Sequence, residues 1–135
     1  MGRLNGVSSN DLVGESTSDN HLPEEIRLTR KRDCLQLTFN EGEHISVSAE
    51  MLRVKSPSAE VRGHGPNDGI TVGGKKNIRI NTLEQVGNYA VRISFDDGHD
   101  TGIYTWKYLT YLANEHDRIW AEYLSELVVA GLRRA

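Results

Sequence analysis

The feature that most constrains this chain is a two-residue alternation of apolar side chains. It runs through three consecutive segments, at Ile26 and Leu28, at Leu35, Leu37 and Phe39, and at Ile45 and Val47. Successive side chains of a β-strand point to opposite faces, so this spacing buries one face of each strand. The pattern predicts three short strands in an antiparallel meander, with turns at Arg30–Asp33 and Asn40–Gly42. A short helical turn at about Ala49–Arg53 should follow.

A different period appears in the C-terminal half of the chain. After the glycine-rich loop Ser56–Asn77, two further strands are predicted at Ile78–Leu83 and Tyr89–Phe95. From about Tyr104, apolar residues recur at helical spacing, at positions 106, 109, 113, 120, 124 and 127. The polar segment NEHD can divide this region into two helices. The sequence therefore predicts an α+β fold, in which a small, mostly antiparallel sheet of about five strands packs with C-terminal helices.

The 135 residues are enough for one domain. Residues 1–22 hold few apolar side chains, which predicts a disordered tail before a single domain at residues 23–135. This N-terminal segment lacks the apolar core of a signal peptide, and the chain has no run of 18 apolar residues. We therefore expect neither export nor a membrane span.

Charge and cysteine content exclude several classes of protein. The net charge of -3 and the pI near 5.9 argue against nucleic-acid binding, which normally needs a basic surface. Cys34 is the single cysteine, so one chain can form neither a disulfide nor an all-cysteine metal cage. This cysteine usage suits the cytoplasm. Because Cys34 lies in a predicted strand, we interpret it as a small core residue.

The stretch FDDGHDTGIYTW, residues 95–106, holds the densest group of candidate site residues. One interpretation is structural: Asp-Asp-Gly is ordinary turn chemistry after a strand, and Asp100 or Thr101 could cap the next helix. Spacing alone favours this interpretation. The other is an iron or zinc site, because imidazole and carboxylate ligands suit these metals. Its candidate ligands are His99, Asp97, Asp100 and, from the glycine-rich loop, His64.

Catalytic motifs are incomplete throughout the chain. GHGPNDG and VGGKK resemble parts of phosphate-binding loops, but neither completes a nucleotide-binding pattern. Ser56 and Ser58 do not lie in a nucleophile elbow, and the sequence places no base beside them. We therefore expect no enzymatic activity.

Two motifs and the preceding meander resemble a known family. EMLRVKSPSAEVRG, residues 50–63, and VGNYAVRISFDDGHDTGIYTWKYL, residues 86–109, are similar to the gamma-butyrobetaine hydroxylase-like N-terminal domain, also called DUF971. The resemblance covers about residues 22 to 114 and implies a stand-alone bacterial form. The family signature positions in this chain are Arg53, Pro57, Gly98, Gly102 and Trp106.

The resemblance also implies a lost metal site. In the eukaryotic dioxygenases of the family, the domain binds structural zinc through a C-x-C-x-x-C run and one histidine. Ser56, Ser58 and Val61 stand at the three cysteine positions of that run, while His99 matches the histidine. Hydroxyls bind zinc poorly and valine does not bind it, so the structural zinc should be absent.

The family's iron and 2-oxoglutarate chemistry lies in a separate jelly roll of about eight strands. After Leu109 this chain offers only helix, so the resemblance does not imply hydroxylase activity. The same small domain also occurs alone in bacteria and fused to iron–sulfur carrier ATPases of the Mrp type. We therefore expect a non-enzymatic cytoplasmic binding or adaptor domain with a protein partner, in iron or iron–sulfur protein maturation. The alternative is an iron- or zinc-binding protein that uses His99 and nearby carboxylates.

Overall fold

The computed structural model describes residues 22–58 and 70–135. These residues form six β-strands and three α-helices: β1 Glu25–Leu28, β2 Cys34–Thr38, β3 His44–Ser48, α1 Ala49–Val54, β4 Ile80–Val86, β5 Ala90–Phe95, β6 Gly102–Thr105, α2 Trp106–Asn114 and α3 His116–Ala130. The predicted tail lies outside the described residues apart from Leu22. Val61, His64 and most of the Gly63–Gly74 loop also lie outside them.

The predicted meander is confirmed as a three-stranded antiparallel sheet in the order β1-β2-β3. Leu35 of β2 lies opposite Val47 of β3, and Leu37 lies opposite Ile45. All four side chains are buried, whereas Gln36 between the two leucines is exposed. The two-residue alternation therefore fixes the buried face and the register of this sheet.

The prediction for the strands after the glycine-rich loop needs a correction in the number of strands and in their grouping. β4, β5 and β6 form a separate antiparallel sheet, so the described chain has two three-stranded sheets and one strand more than predicted. The additional strand is β6, where a helix was expected to begin at about Tyr104. Instead, Tyr104 pairs with Val91 of β5 and is fully buried.

The helical prediction is confirmed from Trp106 onward. Thr105 caps α2, because its Oγ1 accepts a hydrogen bond from the Tyr108 N–H at 3.0 Å. The expectation that Asp100 or Thr101 caps this helix is therefore wrong. The second helix, α3, begins after Glu115, which agrees with the predicted break at NEHD.

Both sheets and the helices share one apolar core, to which α2 contributes Trp106, Leu109 and Leu112. α3 adds Ile119 to this core and packs Tyr123 and Leu127 against Val54 in a smaller cluster. Leu124, which the helical spacing placed on the buried face, is exposed. None of the helices in the described residues is long and apolar enough to cross a membrane.

A short C-terminal strap, residues 132–134, returns to the body of the protein. Gly131 adopts a left-handed conformation with φ of 69°, which ends α3 and reverses the chain. The carbonyls of Arg133 and Arg134 then accept hydrogen bonds from the N–H groups of Gly74 and Lys76, each at 2.8 Å. These contacts attach the end of the chain to the segment before β4.

Candidate functional site

The predicted site residues meet where the end of α1 contacts the hairpin between β5 and β6. The connection consists of three side-chain contacts that follow one another along both segments. Arg53 contacts Asp97, Ser56 contacts His99, and Ser58 contacts Thr101. We call these six residues the α1–hairpin joint. It contains two of the proposed metal ligands and two of the lost zinc-ligand positions.

The hairpin presents its side chains through a tight turn after β5. The Phe95 N–H donates to the His99 carbonyl at 2.9 Å, and the Gly98 N–H donates to the Phe95 carbonyl at 3.1 Å. Gly98 has φ of 93°, a conformation that glycine adopts without the strain of a side chain. The predicted Asp-Asp-Gly turn is thus present, and it turns His99 toward α1.

Asp97 is held between two cationic side chains. Its Oδ2 accepts hydrogen bonds from Arg53 Nε at 2.8 Å and from Lys75 Nζ at 2.6 Å, while Oδ1 accepts from the His99 N–H at 3.0 Å. Burial alone would raise the pKa of this carboxyl, but the hydrogen bonds from Lys75, the His99 N–H and Arg53 lower it to about 2. Both carboxylate oxygens of Asp97 therefore already accept hydrogen bonds from other groups of the protein.

Ser56 and His99 form the buried centre of the joint. Ser56 Oγ lies 3.0 Å from His99 Nε2, and the exposed fractions of the two residues are 1% and 9%. The same hydroxyl accepts a hydrogen bond from the Ser58 N–H at 3.3 Å. The Ser56 hydroxyl is therefore engaged with two neighbours inside the buried part of the joint.

Gly102 makes the close approach of Ser56 possible. A Cβ at this position would lie 2.6 Å from Ser56 Oγ and 2.9 Å from a ring carbon of Tyr104. The Tyr104 hydroxyl donates to the Leu52 carbonyl at 2.5 Å, and burial raises its pKa above the ordinary value. β6 therefore packs against the end of α1 with no room for a side chain at residue 102.

The residues present do not fit the zinc that the resemblance implies. Ser56 and Ser58 offer hydroxyls in place of thiolates, and both hydroxyls are engaged with His99 and Thr101. Residues 22–58 and 70–135 contain no group of three or more His, Cys, Asp and Glu side chains placed to hold a metal ion. Asp100 is exposed, and His64 and Val61 lie outside the described residues.

Cys34 is half-buried at the start of β2 and is a free thiol. Burial first, and then the neighbouring carboxylate of Asp33, raise the pKa of this thiol. The thiol is therefore protonated at neutral pH, which makes it a poor nucleophile and a poor metal ligand. The predicted strand position is confirmed, but Cys34 is only half-buried and is not among the buried core residues, so its interpretation as a core residue is wrong.

Sequence reasoning missed the partners of the predicted residues. Arg53 and Lys75 are 44 and 22 residues away from Asp97, and Thr101 is 43 residues away from Ser58. No local motif connects such distant positions. The available signal was the resemblance itself, since the two motifs that carry it lie far apart in sequence and contain the residues that meet in the joint.

Comparison with known proteins identifies the family to which this chain belongs. A family model described as gamma-butyrobetaine hydroxylase-like, N-terminal, matches residues 26–110. The chain belongs to this family. The match spans β1 to the first half of α2, including all six residues of the α1–hairpin joint, and it ends before α3.

Three solved structures are similar to this member of the family. Two NMR solution structures are 44% and 45% identical to it, with TM-scores of 0.71 and 0.73. The first comparison covers 85% of this chain and 90% of the other, and the second covers 89% of each. A crystal structure of a DUF971 protein of unknown function from Acidithiobacillus ferrooxidans is 34% identical, with a TM-score of 0.55 over 67% of this chain and 91% of that one. None of the curated proteins in the comparison matches the chain.

Four of the five positions that the resemblance marks as signature residues have clear structural roles here. Arg53 holds Asp97, Gly98 forms the turn, and Gly102 admits Ser56. Trp106 is buried, and its Nε1 donates to the Asn88 carbonyl at 2.7 Å, which ties α2 to the β4–β5 turn. Pro57 lies between the two serines of the joint, and no contact in the structure explains it.

Proposed function

We propose that this chain is a non-enzymatic binding or adaptor domain that acts by docking a protein partner. The observation that carries the proposal is the closed state of the α1–hairpin joint. Ser56 and His99 lie at the hydrogen-bond distance typical of a nucleophile and its base. However, Ser56 is only 1% exposed and its hydroxyl is engaged with His99 and the Ser58 N–H, so a substrate has no access to it.

The joint therefore has the properties of a structural connection. It fixes the end of α1 to the β5–β6 hairpin through one ion pair and two hydroxyl contacts. Among the described residues of the joint, only Arg53 Nη1 is a buried side-chain polar atom without a hydrogen-bond partner. A rigid scaffold of this kind is suited to present a surface to another protein. Catalysis would instead require a nucleophile or base that is accessible to substrate.

We place the partner in iron or iron–sulfur protein maturation, in the cytoplasm. The single cysteine supports a reducing compartment. Support for the pathway comes only from the sequence resemblance, which extends to domains fused to iron–sulfur carrier ATPases of the Mrp type. Such an ATPase is the first candidate partner, and the joint itself need not carry metal for this role.

Quantitative binding to the purified candidate ATPase tests this function. Calorimetric titration should give a saturable complex of fixed stoichiometry that persists in the presence of a chelator. A pull-down from cell extract under several conditions extends the search beyond this candidate, and each recovered protein is retested in purified form. Failure of every purified partner to bind in fixed stoichiometry contradicts the proposal.

Iron or zinc binding through His99 is the alternative function. It has weaker support, because Asp97 is already paired with Arg53 and Lys75 and His99 Nε2 contacts Ser56. Titration of the chain with Zn²⁺ distinguishes the two functions. The alternative requires a one-to-one isotherm that His99→Ala abolishes and that Asp100→Asn weakens, whereas the adaptor proposal requires no such isotherm.

A further inference from the structure

The solvent side of α3 carries an uncharged strip that the core does not use. Its members are exposed and recur at intervals of three and four residues along one face of the helix: Ala121, Leu124, Ser125 and Val128. Val128 is 79% exposed and Leu124 is 38% exposed. The exposed face of an ordinary amphipathic helix carries charged or polar residues instead.

The adjacent flank of the same helix shows the usual pattern. Arg118 there contacts Glu115 at 3.2 Å and Glu122 at 3.1 Å, and Glu126 pairs with Lys55 at 3.5 Å. The charged side chains of α3 that follow Asp117 thus lie on this flank, and the uncharged strip lies beside it. This asymmetry favours a surface that is covered by another protein rather than by water.

The strip is complementary to itself when two helices run in opposite directions. Consider an antiparallel pair of α3 helices whose two-fold axis passes between Leu124 and Ser125. Leu124 of one copy then faces Ser125 of the other, and Val128 faces Ala121 of the other. Each large side chain then faces a small one, which lets the two helices approach closely.

The charges at the two ends of the strip fit the same arrangement. Asp117 lies at the N-terminal end and has a fully exposed side chain. Arg133 lies just beyond the C-terminal end and is also exposed. Antiparallel pairing brings each Asp117 to the end of the other helix that carries Arg133, so opposite charges meet at both ends. A parallel pairing would bring like charges together.

From this self-complementarity we propose that the strip on α3 is a homodimer interface, occupied by α3 of a second copy in antiparallel orientation. The interface is distinct from the α1–hairpin joint and does not depend on the proposed adaptor function. Four side chains cover on the order of a few hundred Å² per copy, less than the roughly 800 Å² of a standard interface. The dimer is therefore weak, with a dissociation constant of about 100 μM or higher.

Sedimentation equilibrium of the full chain, from about 20 μM to 1 mM, measures this association. We expect the average mass to rise from one chain toward two across this range. Val128→Lys should weaken association at least tenfold, since it places a charge in the interface. The matched control is Val129→Lys, because Val129 is 89% exposed but lies about 100° further around the helix.

A charge exchange tests the orientation of the two helices. Asp117→Arg should weaken the dimer, and Arg133→Asp in the same chain should restore it by re-forming the pairs in reverse. A mass that stays at one chain at every concentration overturns the proposal. So does a Val129→Lys variant that loses as much affinity as Val128→Lys, or a double charge variant that is no tighter than the single one.

Discussion

The Ser56 hydroxyl contacts both His99 Nε2 and the Ser58 N–H, so its removal should destabilise the fold. In Ser56→Ala, His99 Nε2 and the Ser58 N–H lose their shared partner inside a buried region. Leaving buried polar groups unsatisfied costs about 1–3 kcal/mol of unfolding free energy. Urea denaturation measures the difference. Ser125→Ala, at an exposed helical position, is the control and should stay within about 0.5 kcal/mol of wild type. Equal effects of the two variants would contradict the role given to Ser56.

Asp97 should make stability depend on pH in the acidic range. Its pKa is about 2 in the folded protein and 3.8 in the reference state. The ionised form is therefore favoured by folding, and its contribution is fully present above about pH 5 and lost as the pH falls toward 2. The shift corresponds to about 2 kcal/mol.

The difference in unfolding free energy between wild type and Asp97→Asn isolates this contribution. We expect the difference to be largest above pH 5 and to shrink between pH 4 and pH 2. Asp100→Asn removes a neighbouring exposed charge without touching Arg53 or Lys75, and serves as the control. A difference for Asp97→Asn that is constant from pH 7 to pH 2 would rule out this linkage.

These residues also show what the sequence could predict about the site. Asp97 and His99 were identified as candidates because carboxylates and a histidine cluster within four residues. Their actual partners, Arg53, Lys75 and Ser56, come from two other segments of the chain. Spacing reveals local clusters, whereas pairing across the fold depends on how α1 packs onto the hairpin. The proposed metal-ligand role of His99, Asp97, Asp100 and His64 remains a prediction.

At the scale of elements, the contact between β6 and the end of α1 depends on the missing side chain of Gly102. Gly102→Ala forces a methyl group against Ser56 Oγ and Tyr104, which should cost about 1–3 kcal/mol. Removing the Ser56 hydroxyl in the same chain relieves part of this clash. The double variant Ser56→Ala/Gly102→Ala should therefore lose at least about 0.5 kcal/mol less than the sum of the single variants. Strict additivity in urea denaturation would show that the two positions do not touch.

The predicted elements differ in how fully the sequence determined them. Three strands of the first sheet follow from alternation alone, because one face is buried and the other is exposed. β6 was missed because its four residues, GIYT, run directly into the helix that begins at Trp106. A segment this short shows too little periodicity, and its strand conformation comes from pairing with β5. The division of the six strands into two sheets likewise depends on tertiary packing and not on local sequence.

For the whole molecule, the C-terminal strap joins α3 to α1 through one partly buried ion pair. Arg134 contacts both carboxylate oxygens of Glu50, at 3.0 and 2.7 Å, and only 7% of the Glu50 side chain is exposed. Arg134 also lies over the Trp120 ring, 5.2 Å from its centroid. The end of the described chain is thus part of the packed structure.

Arg134→Ala should leave the Glu50 carboxylate buried without its cation. We expect a loss of about 2 kcal/mol, below the range for a fully buried pair because Arg134 is partly exposed. Chemical denaturation checks this value, with Arg133→Ala as the control at the adjacent exposed position. A loss in the control as large as that in Arg134→Ala would show that the strap acts through its backbone alone.

If the α1–hairpin joint is a structural connection rather than a metal site, the purified protein should carry almost no iron or zinc. Elemental analysis of the full chain, purified without a metal-affinity tag, measures this content. We expect less than about one iron or zinc ion per ten chains, because hydroxyls already engaged with His99 and Thr101 bind these metals poorly. Iron or zinc close to one per chain, lost in His99→Ala, would contradict the structural role of the joint.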